Sequence, residues 1–339
     1  MEEIRNKLFS VEYDFLRKDK NLSNIVLLTL GGSRAYGTSN DNSDIDLRGC
    51  TLDTKEQILL GNYFTQFEDR KTDTVIYGFN KLVGLLTECN PNTIEMLGCR
   101  KDQYFYTSLI GDELLANKKL FLSKKAADSF GGYAGAQLRR LDNKAVRDVG
   151  WVEKEKHILN SIVNASKKFS EKFAYFDEDS LNLYIGNSSS DDYDTEILMD
   201  ISLTGYPLRD YRSMWSEMNN IVKEYNKIGK RNKNAIERDK LGKHMMHLIR
   251  LYYMCFDILE NEDIVTYREK EMDMLLEIRN GKYLNENKQP IPEFYEWVGE
   301  LDKRLDYAKR NTSLPDRPYK GRINEFVMSV NERIVRGEV

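Results

Sequence analysis

Ile25 to Leu30 (IVLLTL) is broken only by a threonine, the mark of a strand buried on both faces. Ser43 to Leu47 (SDIDL) alternates instead, which predicts a strand with Asp44 and Asp46 on one face and Ile45 and Leu47 on the other. DTVIY alternates likewise, so Asp73, Val75 and Tyr77 share a face. Helical periodicity predicts one helix over Glu2 to Lys18 and another over Phe79 to Glu88, and Asn90-Pro91 marks a turn before a further helix. From Ser108 the chain reads as helical. Tyr133, Gln137 and Arg140 fall on one helix face, and Val152 to Lys172 shows mixed apolar periodicity. LNLYI (181–185) and EILMDISL (196–203) flank GNSSSDDYDT as a β-hairpin with an acidic loop. Helices resume over Tyr211 to Lys227, Arg231 to Asn261 and Arg268 to Arg279, and a last helix precedes the turn at Pro315 and Pro318. The pattern is α+β: an N-terminal α/β head over residues 1–105, then a mainly helical second domain over 106–339 carrying a small β-hairpin.

Composition narrows this little. A chain of 339 residues has room for two domains, and 40% hydrophobic content with six prolines is ordinary for a soluble protein. No apolar run approaches the roughly eighteen residues of a membrane span, and the charged, amphipathic start MEEIRNKLFSVEYDF lacks a signal peptide's apolar stretch; a cytoplasmic location is expected. Cys50, Cys89, Cys99 and Cys255 show no C-x-x-C spacing, so neither zinc nor a disulfide framework is expected. The net charge of −4 lacks the basic excess of duplex-coating proteins. Charge is uneven, with basic clusters at Arg139, Arg140, Lys144 and Arg147 and at Lys223, Lys227, Lys230, Arg231 and Lys233. These fit either a local groove for an RNA end or solvated helix faces.

The chemistry concentrates in residues 31–47, GGSRAYGTSNDNSDIDL. Gly31 and Gly32 let the backbone approach a phosphate, and the Ser33 hydroxyl adds a donor. Two carboxylates one residue apart suit a hard cation such as Mg²⁺, which binds through one or two carboxylates plus substrate phosphates. Either piece alone is commonly a turn or a solvated face; the two at this spacing outline a nucleotidyl-transfer site.

Gly32-Ser33 followed by Asp44-Ile-Asp46 resembles the signature of the DNA polymerase β nucleotidyltransferase superfamily. The longer GSRAYG (32–37) with SDIDLRG (43–49) resembles a narrower bacterial and phage group, some of whose members are associated with RNA-repair ligases. DTVIYGFNKLVGLL (73–86), NPNTIEML (90–97), LTGYPL (203–208), KHMMHLIRL (243–251), TYREKEMDMLLEIRNGKY (266–283) and LPDRP (314–318) extend that resemblance along nearly the whole chain. It implies a nucleotidyltransferase head with a mixed sheet, transferring an NMP from an NTP to an acceptor hydroxyl with release of pyrophosphate. Two ions, Mg²⁺ or Mn²⁺, are implied on Asp44, Asp46 and a third carboxylate. Asp73 is the best candidate for that third group, with Glu68 and Asp69 as rivals; it would help bind the catalytic metal and draw the proton from the attacking hydroxyl. Gly32, Ser33, Arg34 and Tyr36 belong to the nucleotide-binding signature.

Lys243, His247 and Arg250 fall at i, i+4 and i+7 of one helix, which the resemblance places facing the catalytic cleft, so this face suits a triphosphate or an acceptor phosphate. Alternatively, His247 is a core histidine and Arg250 pairs with a carboxylate. His244 and His247 lack a third ligand at zinc spacing. Tyr133, Gln137 and Arg140 either meet a nucleobase or form an interface, the interface ranking slightly higher. The resemblance favours an RNA 3′ end as acceptor. Nucleotidylation of a protein or a small molecule is the same-chemistry alternative, and a non-catalytic nucleotide-sensing or antitoxin-like binding module is the alternative of another class.

Overall fold

The computed structural model describes residues 1–40, 43–145, 181–187, 195–202, 204–205, 207–213, 215–216, 219, 241–286 and 289–338. The chain divides into two compact units, Met1–Leu138 with Gly242–Val339, and Arg139–Leu241. The fold is α+β with a mixed five-stranded sheet. Its strands are β1 (Ile25–Leu30), β2 (Leu47–Thr51), β3 (Gln66–Asp69), β4 (Thr74–Gly78) and β5 (Tyr104–Thr107), in the order β3-β4-β2-β1-β5. β1 runs antiparallel to β2 and β5, and β4 runs parallel to β2 and antiparallel to β3. β1 lies inside the sheet between β2 and β5, and its residues from Val26 onward are all buried, as an apolar run interrupted only by Thr29 requires.

The single N-terminal helix expected over Glu2 to Lys18 is instead broken. Short helices α1 (Glu2–Lys7) and α2 (Phe15–Lys18) flank a 3₁₀ turn at Val11–Tyr13. The breaks let Leu8, Tyr13 and Leu22 each drop into one apolar cluster with Leu28, Leu30, Leu47 and Ile76 of the sheet, which a single straight helix face could not do. SDIDL is also not a strand throughout: β2 opens only at Leu47, leaving Asp44 and Asp46 in the approach to it. Further helices of this unit are α3 (Gly32–Tyr36), α4 (Lys55–Leu60), α5 (Phe79–Thr87), α6 (Pro91–Ile94) and α7 (Leu109–Ala116), followed by α8 (Lys125–Ala145), which runs on past the unit's first segment. Asn90 caps α6 through its side chain, with Pro91 in the first helical position, as the turn signal predicts.

After Gly242 the chain adds α9 (Leu241–Asn261), α10 (Met272–Arg279), α11 (Pro292–Asn311) and α12 (Lys320–Arg336). They close on the elements of the first segment. Phe326 packs edge-on against Phe79, and Arg333 forks onto both Glu113 carboxylate oxygens at 2.7 and 2.6 Å. In the other unit the expected hairpin is present as β6 (Leu181–Asn187) and β7 (Thr195–Ile201), antiparallel. The predicted helices over 152–172, 220–227 and 231–240, the acidic loop and the basic cluster at 223–233 lie outside the described residues. Among the described residues no helix is long and apolar enough to cross a membrane, and Cys50, Cys89, Cys99 and Cys255 are free thiols.

Candidate active site

β1 ends in Gly31, whose N–H donates to the Asp46 carbonyl at 2.8 Å, and α3 starts at once. Gly32 opens that helix with φ +58°, a conformation disfavoured for side-chain-bearing residues. A Cβ there would overlap Asp46 Oδ2. Glycine is therefore dictated twice, by its backbone angle and by the approach of the second aspartate of the D-x-D pair. No side chain caps the start of α3, so the leading N–H groups keep their capacity for a ligand. Ser33 is buried and Arg34 half-buried.

Arg34 holds the segment that carries the aspartates. Its guanidinium donates to the Ser43 carbonyl at 2.8 Å and the Asp44 carbonyl at 3.2 Å. Those carbonyls are thereby taken from any sheet ladder, which explains why SDIDL enters the strand late. Asp44 is exposed and Asp46 half-buried. Asp73, immediately before β4, has φ 44°, and its carbonyl accepts from the Leu47 N–H at 3.2 Å. The parallel β2–β4 pairing thus brings Asp73 beside Asp46. Burial, and then the charge and hydrogen bonding of Asp73, push the Asp46 carboxyl up to about 6, against the opposing pull of Arg48 and Lys243. Arg48 secures Asp73 twice, donating to its carbonyl at 2.6 Å and to Oδ1 at 3.2 Å.

Two adjoining carboxylates that resist joint ionisation favour a shared proton or a cation between them, so Asp46 and Asp73 fit a hard metal ion. They do not make a closed cage with Asp44: among the described residues no three His, Cys, Asp or Glu side chains are gathered to hold a metal. That openness suits Mg²⁺, whose remaining ligands come from substrate phosphates and water.

The opposite side of α3 is anchored in the core. The Tyr36 hydroxyl lies 3.0 and 2.9 Å from the two Glu95 carboxylate oxygens, and Arg250 Nη1 donates to Glu95 Oε2 at 3.1 Å. The Arg250 guanidinium stacks 3.6 Å from the Tyr36 ring centre, while His247 meets that ring edge-on. Arg250 and Glu95 are each 5% exposed. Burial raises the Tyr36 hydroxyl and the Glu95 carboxyl and lowers the His247 imidazole well below its ordinary value, so His247 is neutral at neutral pH. Of the face Lys243, His247 and Arg250, only Lys243 is exposed; Arg250 pairs with a carboxylate in the core. Gln103 completes the mounting, donating to the Arg34 and Ala35 carbonyls at 3.2 Å.

A cleft of about 510 Å³ opens beside the carboxylates, with Asp44, Asp73, Arg34, Lys7, Arg70 and Lys71 on its walls. Tyr133 and Gln137 are engaged elsewhere. The Tyr133 hydroxyl accepts from Asn90 Nδ2 at 3.3 Å and Asn92 Nδ2 at 3.4 Å, and Gln137 Oε1 lies 3.3 Å from His244 Nδ1. The side chains of Arg139, Arg140 and Lys144, and Arg147 altogether, lie outside what is described.

Residues 6–165 match the model of the RlaP family, an RNA repair pathway DNA polymerase beta family. The resemblance to polymerase β nucleotidyltransferases is borne out. The match covers a little under half of the chain, including the whole carboxylate site and the five-stranded sheet. No curated protein and no solved structure gives a match. Sequence reasoning overlooked several residues of this site. Arg48 lies inside SDIDLRG, and its place next to Leu47 in the motif was the available signal. Glu95 and Gln103 carried none, because each is a lone polar residue whose partners lie far off in the chain.

Proposed function

We propose that the protein is a Mg²⁺- or Mn²⁺-dependent nucleotidyltransferase that moves an NMP from an NTP to the 3′ hydroxyl of an RNA. The observation that carries this reading is the contiguity of Gly32, Asp46 and Asp73. A phosphate-compatible turn touches one carboxylate, which adjoins a second immediately before β4. Two bound cations would offset phosphate charge and acidify the attacking hydroxyl. The NTP phosphates lie over the uncapped start of α3, where Lys243, exposed and electrostatically felt by Asp46, adds a cation. Asp44 and Asp46 would hold the ions, which would supply charge neutralisation to the NTP phosphates. Asp73, oriented by Arg48, receives the proton of the acceptor hydroxyl as its oxygen bonds to the α-phosphorus and the bond to the pyrophosphate oxygen breaks. The protein's share is positioning and electrostatics. The repair-pathway description of the matching family supports the choice of an RNA acceptor.

The test is incubation of the purified protein with each α-phosphate-labelled NTP, Mg²⁺ or Mn²⁺, and a mixture of RNA and protein, beside the Asp44→Ala/Asp46→Ala form. Label on RNA that the double variant fails to deliver supports the reading. Label confined to polypeptide transfers the function to protein nucleotidylation. No label in any fraction favours a small-molecule acceptor or a binding module, and full turnover by the double variant ends the metal-carboxylate mechanism. Lys243→Ala is expected to raise KM for the NTP.

A further inference from the structure

The cleft beside Asp44 and Asp73 is walled by α1 on one side and by the turn between β3 and β4 on the other. Among the described residues, Gly32, Ser33 and Lys243 do not line it, so the turn suited to the NTP phosphates is not part of this cleft. Asp46 lies against Gly32, and Asp73 lines the cleft. These two carboxylates adjoin each other, so the cleft and the glycine turn meet at the carboxylate pair.

The cations on the cleft wall are not equally free. Arg34 is committed to two carbonyls, and Lys7, on α1 across the cleft from the β3–β4 turn, has only a long contact with Glu12 at 3.8 Å. Arg70 has only a loose contact with Glu68 at 3.4 Å, its side chain 91% exposed, an arrangement of little energetic weight. Lys71 makes no ion pair among the described residues, although its backbone N–H is fixed by Asp69 Oδ1 at 2.9 Å. The turn is therefore anchored while its two cationic heads are available, and Thr72 and Asp73 follow at once in the chain. A strand offering its terminal hydroxyl to Asp73 carries its nearest phosphodiester one nucleotide back.

We infer that Arg70 and Lys71 form an acceptor-strand subsite, holding the last phosphodiesters of the RNA whose 3′ hydroxyl meets Asp73. This rests on the RNA-acceptor reading proposed above. A grip by two cations also suits a chain of net charge −4, which holds an end and does not coat a duplex.

The experiment compares wild type, Arg70→Ala/Lys71→Ala, the milder Lys71→Gln, and Lys55→Ala, a charge loss that does not line the cleft. For each, KM is measured separately for a single-stranded RNA and for the NTP. Affinity for fluorescent RNA without NTP or metal is measured over a salt series. The double variant is expected to raise KM for RNA about tenfold and KM for the NTP less than twofold. Its dependence of log affinity on log salt should be shallower by about 0.7 for each phosphate that is no longer neutralised. Lys71→Gln should show part of the same shift and Lys55→Ala none. An unchanged RNA KM and salt slope overturn the subsite while leaving the RNA acceptor standing. Equal rises in both KM values overturn it by assigning the cations to the NTP. A wild type that labels only polypeptide removes the RNA reading, and the subsite falls with it.

Discussion

Arg48–Asp73 and Arg250–Glu95 are ion pairs of nearly equal length, 3.2 and 3.1 Å, placed to either side of α3. In the first, the Asp73 side chain is 59% exposed; in the second, both side chains are 6% exposed. The first orients a carboxylate while leaving it open to water, a cation or a hydroxyl. The second commits every strong acceptor of Glu95 to Tyr36 and Arg250 and offers nothing to a ligand. One short helix is thus mounted on a dry polar cluster and presents its Gly-Ser end to a wet one. Charge pairs of similar geometry serve structure or chemistry according to burial, because desolvation fixes the buried pair and solvent keeps the exposed one exchangeable.

The largest effect is expected from breaking the dry pair. Arg250→Ala leaves the Glu95 charge buried without its cation, and removing one partner of such a pair costs about 3–5 kcal/mol. Urea unfolding monitored by circular dichroism measures it. The double change Arg250→Met/Glu95→Leu should recover a large part of that loss, since apolar replacement of a buried pair is often close to neutral. Recovery would be incomplete because the Tyr36 hydroxyl then loses its acceptor. If Arg250→Ala leaves stability within about 1 kcal/mol of wild type, as a surface pair would, the contrast drawn between the two pairs is wrong.

Gly32→Ala attacks the wet side directly. Its Cβ would displace the Asp46 carboxylate, and the left-handed backbone adds about 1–2 kcal/mol of strain. Misplacement of a reacting group by about 1 Å can lower a rate some hundredfold, so transfer of labelled NMP should fall at least that far while the variant remains folded. Arg48→Ala should act less. Asp73 keeps its backbone tie to Leu47 but loses its orienting cation, and kcat is expected to drop about tenfold with KM for the NTP little changed. A rise in KM with kcat intact would make Arg48 a nucleotide contact and not a positioning residue.

The parts legible in the sequence are those whose cause is local. β1 is an apolar run interrupted only by Thr29, α5 is periodic, and the 181–201 hairpin flanks a polar loop, so each was read close to its observed bounds. The Gly-Ser turn and the D-x-D pair were each legible as motifs, and the structure sets Gly32 against Asp46. What escaped depends on distant partners. β3 and β5 are four-residue edge strands that exist through pairing with β4 and β1. The late start of β2 depends on Arg34 capturing two carbonyls, and the break after α1 depends on where Leu8 and Tyr13 find the sheet. Glu95 is a lone acid in NPNTIEML until Arg250, 155 residues away, is brought over it.

The smallest predicted effect separates burial from geometry as the source of the contrast. Arg333 and Glu113 form a two-pronged pair, at 2.7 and 2.6 Å, tighter than Arg250–Glu95, yet Glu113 is 41% exposed. Arg333→Ala should therefore cost only about 0.5 kcal/mol at neutral pH, solvent screening included. The hydrogen bond from Arg333 holds the Glu113 carboxyl below its ordinary value of 4.5. A depressed folded-state value means the stabilisation is complete above the unfolded value and is lost as the pH falls through the folded one. The stability difference between wild type and Arg333→Ala should thus be constant from neutral pH down to about 4.5 and shrink below it. Urea unfolding at a series of pH values reads this directly. A loss as large as that of Arg250→Ala would show that fork geometry, not exclusion of water, sets the strength of these pairs.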